Sequence, residues 1–307
     1  MNLLPNVPLV ESPFFDEIFT SDRFDSYTIE VAHALNRDGF AVIDFPDNID
    51  ELAERIKTAL HPVFDWEAYH RGKEDGLRVQ DAWKTNADVK RIATNERLLN
   101  LLSSLYGRKA IPFQTLNFPV GTQQAFHTDC MHFSSRPERF MCGVWVALED
   151  VDASNGPLEY YPGSHRLPIY TNEHIGRNPP PGNPHGNYAH YVKLWPELVR
   201  VHGLKREEFH PRKGQALIWS ANLFHGGARQ LDKSRTRWSQ VTHYYFENCA
   251  YYTPLTESPL KDRALRSIVN IETGLPVNNI VNGEVIEQVL PVKKAQSLWG
   301  TLKKWRL

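Results

Sequence analysis

Hydrophobic residues recur every three or four positions in the first third of the chain, which is the spacing of an amphipathic helix. The pattern occurs at 28–37, 47–60 and 96–106. Gly39 and Gly107 follow the first and the third of these segments, and helices commonly end on glycine. The sequence therefore predicts three helices in this part of the chain.

From position 111 the pattern changes to short apolar or alternating runs separated by turn residues, which predicts β-strands. The run at 141–148 is apolar at nearly every position, so we expect a strand that is buried on both faces. The other predicted strands are at 40–45, 113–118, 158–161, 214–224 and 237–246. The predicted fold class is mainly β with flanking helices.

A long segment at 167–211 interrupts the strands and is rich in Pro, Gly, Asn, His and Tyr. Segments of this length are often functional, and the aromatic content favours an ordered lid over a linker. An ordinary surface loop is the alternative. The candidate pocket-facing side chains of the lid are Tyr170, His174, Arg177, His185, Tyr188, His190 and Tyr191.

These patterns predict a single domain over residues 1–307. Residues 1–110 form a helical N-terminal support, and residues 111–249 form the β core that carries the lid insertion. Residues 250–307 form a C-terminal extension, in which Asn282-Gly283 predicts a hairpin turn.

The end of the chain, 293–306, is basic with interleaved apolar residues, which is typical of an amphipathic helix. We expect this helix to pack on its own domain or on a second subunit, so a homodimer is left open. Contact with a membrane surface is the alternative interpretation.

Charge and cysteine content narrow the function classes. The chain has 35 Lys and Arg against 36 Asp and Glu, so no excess charge favours nucleic acid or an anionic membrane. No apolar run approaches the roughly 18 residues of a transmembrane helix, and the first residues lack the features of a signal peptide. Three scattered cysteines are too few for a disulfide framework or a thiolate zinc site. We therefore expect a protein of the reducing cytoplasm.

The first candidate for chemistry is the pair His127 and Asp129. If this segment is extended, residues two apart share a face, so both side chains point away from Thr128. With a distant second histidine they would complete the two-His-one-carboxylate triad of iron(II) oxygenases. Taken alone the pair is a weak signal, because 13 His and 36 acidic residues produce about one or two such pairs by chance.

His225 is the candidate for the third metal ligand. In a continuous strand over 216–225, alternation would place His225 on the same face as Leu217, Trp219 and Leu223. The histidine would then stand at the end of a row that faces the core. A buried structural histidine is the alternative interpretation.

Arg237 and Ser239 share a face of the last predicted strand. An arginine that points into a β core is costly unless it meets an anion, and a guanidinium binds a carboxylate through two hydrogen bonds. The pair therefore suits the distal carboxylate of 2-oxoglutarate. A surface salt bridge is the alternative, and Arg229 and Arg235 are rival arginines nearby.

The order and spacing of these motifs are more specific than any one of them. In this combination the chain resembles the phytanoyl-CoA dioxygenase family of iron(II)- and 2-oxoglutarate-dependent oxygenases. The resemblance covers about 114–246, nearly half of the chain. The motifs that carry it are Phe126-His-Thr-Asp129, Trp145-Val-Ala-Leu-Glu-Asp150, Asn155-Gly-Pro-Leu158, Pro162-Gly-Ser-His165, Phe224-His-Gly-Gly227 and Arg237-Trp-Ser239.

The resemblance implies a double-stranded β-helix core, the jelly-roll of the cupin-like proteins, and a reaction that uses Fe(2+), 2-oxoglutarate and O2. It implies that the metal ligands are His127, Asp129 and His225. It implies that the residues around 2-oxoglutarate are Arg237, Ser239, Gln114, Asn117 and Trp145.

Asp129 bears on the type of oxidation, because related halogenases lack this carboxylate and bind a halide in its place. The resemblance therefore favours hydroxylation of a C–H bond, with release of succinate and CO2. We expect a small polar or conjugated metabolite as the substrate, with Arg78, Trp83 and Lys84 as a second candidate set at the pocket entrance.

Two other function classes remain open. One is a cupin-like metal enzyme that does not use 2-oxoglutarate, and the other is a metal-free β-sandwich that binds carbohydrate. Removal of Arg237 should weaken 2-oxoglutarate binding only in the favoured class, and stoichiometric iron uptake would exclude the binding protein.

Overall fold

The computed structural model describes residues 3–72, 77–258 and 264–287. The α-helices of these residues are α1 (Phe15–Ile18), α2 (Ser26–Asp38), α3 (Asp50–Leu60), α4 (Trp66–His70), α5 (Ala87–Ala93), α6 (Glu96–Tyr106) and α7 (Tyr188–His202). The strands are β1 (Phe40–Asp44), β2 (Val79–Gln80), β3 (Ala110–Phe118), β4 (Ser134–Arg136), β5 (Met141–Ala147), β6 (Leu158–Tyr160), β7 (Glu207–Phe209), β8 (Gln215–Ser220), β9 (His225–Gly227), β10 (Ser239–Phe246), β11 (Ala250–Tyr252), β12 (Ile268–Val269), β13 (Pro276–Val277), β14 (Asn279–Val281) and β15 (Glu284–Glu287).

Two antiparallel sheets enclose a cavity. The large sheet has the strand order β1-β8-β5-β10-β3-β2, and the small sheet has the order β7-β6-β9. Trp145 and Val241 of the large sheet and Leu158 and Gly226 of the small sheet line a cavity of about 950 Å³. The predicted class, mainly β with flanking helices, is confirmed.

Strand β5 shows how the sequence pattern divides the core. All seven of its residues are buried, as the apolar run predicts. Val144 and Val146 pack in the core beneath the helices, whereas Trp145 and Ala147 pack in the core between the two sheets. Alternate side chains of β5 therefore pack into different hydrophobic cores, because both faces of the large sheet are covered.

Helices α2, α3 and α6 confirm the three predicted helical segments. The side chains of Asp25 and Asn95 accept backbone hydrogen bonds from the first turns of α2 and α6. Both helices end at the predicted glycines, Gly39 and Gly107. Helix α3 begins at Asp50, slightly later than its pattern predicts. Helices α2, α5 and α6 contact the large sheet and cover its outer face.

The continuous strand predicted over 214–224 is wrong. Strand β8 ends at Ser220, and His225 begins β9 in the other sheet. A turn separates them, and the hydroxyl of Thr128 donates to the carbonyl oxygen of Ala221 and the side-chain oxygen of Asn222 in that turn. These contacts come from a segment that is distant in sequence, so the local pattern did not predict that the chain crosses from one sheet to the other here.

The predicted insertion at 167–211 is ordered, and it contains a helix that the sequence pattern did not predict. Helix α7 occupies Tyr188–His202, with Pro196 inside it. Strand Glu207–Phe209 also lies within the predicted insertion, but it pairs with β6 in the small sheet. The part of the insertion outside the β core therefore ends before Glu207.

In the C-terminal extension, the predicted hairpin is confirmed. Strands β14 and β15 pair across Asn282 and Gly283, both of which have positive φ angles as this type of turn requires. The basic segment at 293–306 lies outside the described residues. Within the described ranges, no helix has both the length and the apolar character needed to cross a membrane.

Gly143 provides a test of the packing between the two central strands. It pairs with Trp219, and a Cβ at this position would overlap the Trp219 indole. We expect Gly143→Ala to lower the free energy of unfolding by about 3 kcal/mol, because a buried ring has little room to move. Denaturant unfolding measures the change. The control is Gly163→Ala, where no atom lies within 4 Å and only a positive φ opposes alanine, at a cost of about 1 kcal/mol. Equal losses in the two variants would contradict the packing argument.

Candidate active site

The backbones of His127 and His225 are joined by a pair of hydrogen bonds. The N–H of His127 donates to the carbonyl oxygen of His225 at 2.9 Å, and the N–H of His225 donates to that of His127 at 3.0 Å. The close approach requires glycine at Gly226, since a Cβ there would lie 2.7 Å from the carbonyl oxygen of Gln124 and 2.9 Å from Cα of Phe126. Two histidines that are remote in sequence thus become direct neighbours.

Both imidazoles are held in the orientation that metal binding needs. Nδ1 of His127 lies 3.1 Å from the carbonyl oxygen of Ala125, and Nδ1 of His225 lies 3.0 Å from that of Leu223. A carbonyl oxygen can only accept, so Nδ1 carries a proton in each ring and Nε2 is the nitrogen that faces Asp129. Each Nε2 lies 3.9 Å from a carboxylate oxygen of Asp129.

The three side chains form a compact and buried donor set. One ligand atom from each of His127, Asp129 and His225 lies within 4.8 Å of the others, and all three residues are buried. Two imidazole nitrogens and one carboxylate on one side of an open cavity fit a first-row divalent metal, in the arrangement of non-haem iron sites. Thr128 has an extended backbone and hydrogen-bonds away from the cavity, so the predicted alternation is correct.

The pKa values of His127 and Asp129 favour the protonation states that bind a cation. Burial and, after it, the neighbouring His225 lower the pKa of His127 to about 3, so this ring is neutral at pH 7. Burial opposes ionisation of Asp129, but the surrounding imidazoles, with His225 first among them, and the Trp219 hydrogen bond lower its pKa to about 2. A neutral imidazole and an ionised carboxylate are the protonation states that bind metal.

Two residues that support Asp129 were not predicted as site residues. The indole Nε1 of Trp219 donates to Oδ2 of Asp129 at 2.8 Å, and Nε2 of His243 lies 3.7 Å from the same oxygen. His243 lies four residues after Ser239 on the same strand, so alternation places both side chains on one face of the sheet. That shared face was the signal that could have identified His243 as a site residue. Alternation had also placed Trp219 on the same inward face as His225, and this could have identified it as a site residue.

Arg237 is a buried guanidinium without a carboxylate partner among the described residues. It is 1% exposed, and its Nη1 donates to Oγ of Ser239 at 2.8 Å, while Nε and Nη2 have no hydrogen-bond partner. Its guanidinium carbon lies 5.4 Å from the centroid of the Trp145 ring. Burial lowers the pKa of Arg237 to about 10 while Glu149 opposes the shift, so the group still carries its charge at neutral pH.

The rival arginines occupy different surroundings. The side chain of Arg235 is 37% exposed and forms a salt bridge with Asp152 at 2.6 Å. Arg229 is exposed and does not line the cavity, whereas Arg237 does. Of the three arginines, only Arg237 has hydrogen-bonding capacity that a ligand in the cavity would satisfy.

The residues predicted around the co-substrate divide between two faces of the large sheet. Gln114 and Trp145 line the cavity, and Oε1 of Gln114 lies 2.9 Å from Nδ1 of His243. Asn117 does not line the cavity, and this expectation is corrected. Its side chain lies on the opposite face, where Nδ2 donates to the buried Gln240, because positions 114 and 117 have opposite parity in β3.

The predicted lid and entrance contribute a subset of their candidates to the cavity wall. His185 and Tyr188 of the insertion line the cavity, and so does Arg78 of the proposed entrance set. Trp83 and Lys84 do not. The insertion candidates that do not line it are Tyr170, His174, Arg177, His190 and Tyr191.

A known protein family matches most of the chain. The family model described as phytanoyl-CoA dioxygenase (PhyH) matches residues 33–236. The peroxisomal phytanoyl-CoA dioxygenase of Rattus norvegicus is 23% identical over 201 residues, which are 63% of this chain and 56% of the rat protein. The Bos taurus protein of the same name is 23% identical over 190 residues, which are 57% of this chain and 50% of the bovine protein. The chain thus spans about half the length of the curated relatives it matches.

Solved structures share the fold. The epimerase SnoN, in a complex described as containing Fe3+, alpha ketoglutarate and nogalamycin RO, aligns with a TM-score of 0.56 and 20% identity over 83% of this chain and 97% of SnoN. EctD from S. alaskensis, with 2-oxoglutarate and 5-hydroxyectoine, aligns with a TM-score of 0.56 and 17% identity over 83% of this chain and 86% of EctD. These similarities confirm the expected double-stranded β-helix fold.

The hydrogen bond from Trp219 to Asp129 predicts a measurable contribution to metal affinity. We expect Trp219→Phe to weaken iron(II) binding by about 10- to 100-fold, because the partners of a ligating carboxylate orient it and set its basicity. Anaerobic equilibrium dialysis measures the dissociation constant. The matched control is Trp83→Phe, which also removes an indole hydrogen bond to an aspartate, Asp81, but outside the cavity. An unchanged iron affinity in Trp219→Phe would contradict this role.

Proposed function

The chain belongs to the phytanoyl-CoA dioxygenase family, and from this premise we propose that it is an iron(II)- and 2-oxoglutarate-dependent dioxygenase that hydroxylates a C–H bond of a small molecule. The observation that carries the proposal is the combination, in one cavity, of the His127, Asp129 and His225 donor set with the buried and unpaired Arg237. We propose one oxygenase domain, with the helices as support and the insertion as part of the cavity wall.

Each member of the donor set has a defined part in this proposal. His127 and His225 would bind the metal through Nε2, and Asp129 would bind it through a carboxylate oxygen. Iron(II) bound there would, with 2-oxoglutarate and O2, supply the oxidising power for an unactivated C–H bond and yield succinate and CO2. The reciprocal backbone bonds of the two histidines and the indole of Trp219 keep these ligand atoms in place.

Arg237 would bind the distal carboxylate of 2-oxoglutarate. Its Nε and Nη2 lack partners and can donate two parallel hydrogen bonds, while the hydroxyl of Ser239 holds Nη1. The low polarity around Trp145 strengthens this ion pair, and the carboxylate in turn offsets the cost of the buried guanidinium. The keto-acid end of the co-substrate is then free to point towards the donor set.

Water exclusion is the other contribution of the chain. Tyr188 of α7 and His185 before it form part of the cavity wall, and Phe133 packs 4.9 Å from the His243 ring, centroid to centroid. An oxidising site that excludes bulk water protects its reactive species from side reactions. The insertion therefore belongs functionally to the site as well as to the surface.

The type of oxidation is inferred from Asp129. Asp129 would bind the metal at the position where a halogenase would bind a halide, so hydroxylation is favoured over halogenation. The aligned solved structures include an epimerase and a carbocyclase, so enzymes with this fold differ in the reaction they carry out. The hydroxylase assignment is therefore tested separately from the use of 2-oxoglutarate.

The role of Arg237 is tested by its loss. We expect Arg237→Met to raise the dissociation constant for 2-oxoglutarate by about 100-fold, because a bidentate charged contact in a buried site contributes about 2–3 kcal/mol. Iron affinity should change little. The matched control is Arg235→Met, which removes a surface salt bridge and should leave 2-oxoglutarate binding unchanged. Equal effects of the two substitutions would contradict the assignment, as would tight 2-oxoglutarate binding by Arg237→Met.

Hydroxylation is tested by product analysis. The iron-loaded protein with 2-oxoglutarate, O2 and a panel of small polar and conjugated metabolites should form succinate and a product that has gained one oxygen atom in equal amounts. Mass spectrometry with 18O2 measures both, and His225→Ala is the inactive control. A product with a new double bond, a closed ring or inverted stereochemistry would contradict hydroxylation but not the use of 2-oxoglutarate. No oxygen-dependent succinate with any compound, or without one, would contradict both.

A further inference from the structure

The charged residues around the cavity are unevenly divided. Among the described residues that line it, Asp129 is the only carboxylate, while Arg78, Arg237 and Arg266 all contribute to the wall. The proposed function assigns Asp129 to the metal and Arg237 to 2-oxoglutarate. Arg78 and Arg266 remain without an assigned partner, so the cavity has more positive charge than the metal and co-substrate account for.

Formal charges make this excess explicit. The two positive charges of iron(II) and the one of Arg237 are balanced by the single charge of Asp129 and the two of 2-oxoglutarate. The positive charges of Arg266 and Arg78 are therefore not compensated by these groups. A partly enclosed positive charge without a counter-ion is costly, and an anion that enters the cavity would offset that cost.

Arg266 is held in a fixed position that leaves one edge of its guanidinium available. Its Nη1 donates to the backbone carbonyl of His132 at 3.1 Å and to Oγ1 of Thr253 at 2.8 Å. Its guanidinium carbon lies 4.9 Å from the centroid of the Phe133 ring. Nε is buried and has no hydrogen-bond partner, and no ion pair to Arg266 is formed by the described carboxylates.

The cavity wall next to Arg266 is itself fixed by a buried asparagine. Nδ2 of Asn172 donates to the carbonyl oxygens of Pro254 and Leu255 at 3.2 and 2.9 Å, and its Oδ1 accepts the hydroxyl of Tyr191 at 3.1 Å. This contact joins the insertion to the segment that carries Thr253. Arg266 is thus part of a preorganised wall, which reduces the cost of ordering the site when a ligand binds.

Arg266 and Arg237 lie towards different ends of the cavity. Ser239 and His243 are four residues apart on β10, which corresponds to about 13 Å along the strand. Arg237 contacts Ser239, whereas Arg266 stacks on Phe133, whose ring packs against His243. One dicarboxylate held by Arg237 therefore does not also account for Arg266.

We propose that the primary substrate carries an oxyanion, a carboxylate or a phosphate monoester, and that Arg266 binds it through the edge formed by Nε and Nη2. This proposal rests on the proposed function, since it identifies the substrate class of that same site. Arg78, which is exposed, adds a second positive charge at the wall. The oxyanion end of the substrate would be anchored near Phe133, and its oxidised carbon would lie towards the donor set.

Matched anionic and neutral probes test the substrate class by direct binding. Hexanoate is compared with hexanamide, and phenyl phosphate with phenol, by calorimetry on protein loaded with iron(II) and 2-oxoglutarate without oxygen. We expect at least one anion to bind about 10- to 100-fold more tightly than its neutral counterpart, as charge-assisted hydrogen bonds predict. The pair that shows the larger ratio distinguishes carboxylate from phosphate recognition.

Variants locate the binding. Arg266→Gln should abolish the preference for the anion, and Arg266→Lys should retain part of it through its charge. Arg78 is exposed, and Arg78→Gln should lower anion affinity about 2- to 10-fold. Arg91→Gln is the control, because Arg91 pairs with Asp47 on the surface and does not line the cavity.

Three results would overturn the proposal: neutral probes that bind as tightly as the anions, an Arg266→Gln variant that keeps the preference, or anions that do not bind in the millimolar range. If Arg266→Gln does not fold, the comparison is made with Arg266→Lys and Arg78→Gln, and unchanged anion affinity in both would have the same meaning. A 2-oxoglutarate titration of the same samples separates the two proposals. Failure to bind 2-oxoglutarate would contradict the proposed function, whereas normal 2-oxoglutarate binding without an anion preference would contradict this inference alone.

Discussion

The reciprocal backbone hydrogen bonds between His127 and His225 are the constraint on which the site depends. They join a segment that follows β3 to the first residue of β9, nearly a hundred residues later in the chain. Gly226 permits the approach, and carbonyl oxygens on both segments set the direction of the two rings. A side-chain contact alone would not align two imidazoles in this way, whereas two hydrogen bonds in a ladder fix both position and orientation. Asp129 lies two residues after His127 in an extended segment, so its side chain faces the same cavity and completes the donor set.

The second organising feature is the placement of charge at the wall of a cavity between the two sheets. Asp129 is stabilised as an anion by Trp219 and the imidazoles, and Arg237 is kept as a cation without an anionic partner. The unpaired charge of Arg237 destabilises the free protein, and an acid bound to it would offset that cost. An anion that binds in the cavity would therefore also stabilise the folded protein. Arg266 extends this reasoning from the co-substrate to the substrate.

Alternation along strands accounts for most of what could be predicted from the sequence. It correctly placed His127 with Asp129 and Arg237 with Ser239. The same rule would have excluded Asn117 on β3 and included His243 on β10. The remainder depends on contacts that local patterns do not encode. The crossing from β8 to β9 relies on Thr128, which is distant in sequence, and α7 follows a Pro-rich stretch and contains a proline, so its helical period was obscured. Arg266 had no periodic signal, because its position is set by contacts with other parts of the chain. Its N–H donates to the carbonyl oxygen of Tyr251, and its side chain donates to Thr253 and to the backbone of His132.

The most direct test of the central claim is an anaerobic titration of the purified protein, first with iron(II) and then with 2-oxoglutarate, followed by visible absorption. The account predicts uptake of one iron per chain through His127, Asp129 and His225, and then a weak charge-transfer band that saturates at one 2-oxoglutarate per iron. Substitution of His225 by alanine should abolish the band. Stoichiometric iron uptake without a band on addition of 2-oxoglutarate would contradict the role of Arg237, and absence of iron uptake would contradict the account as a whole.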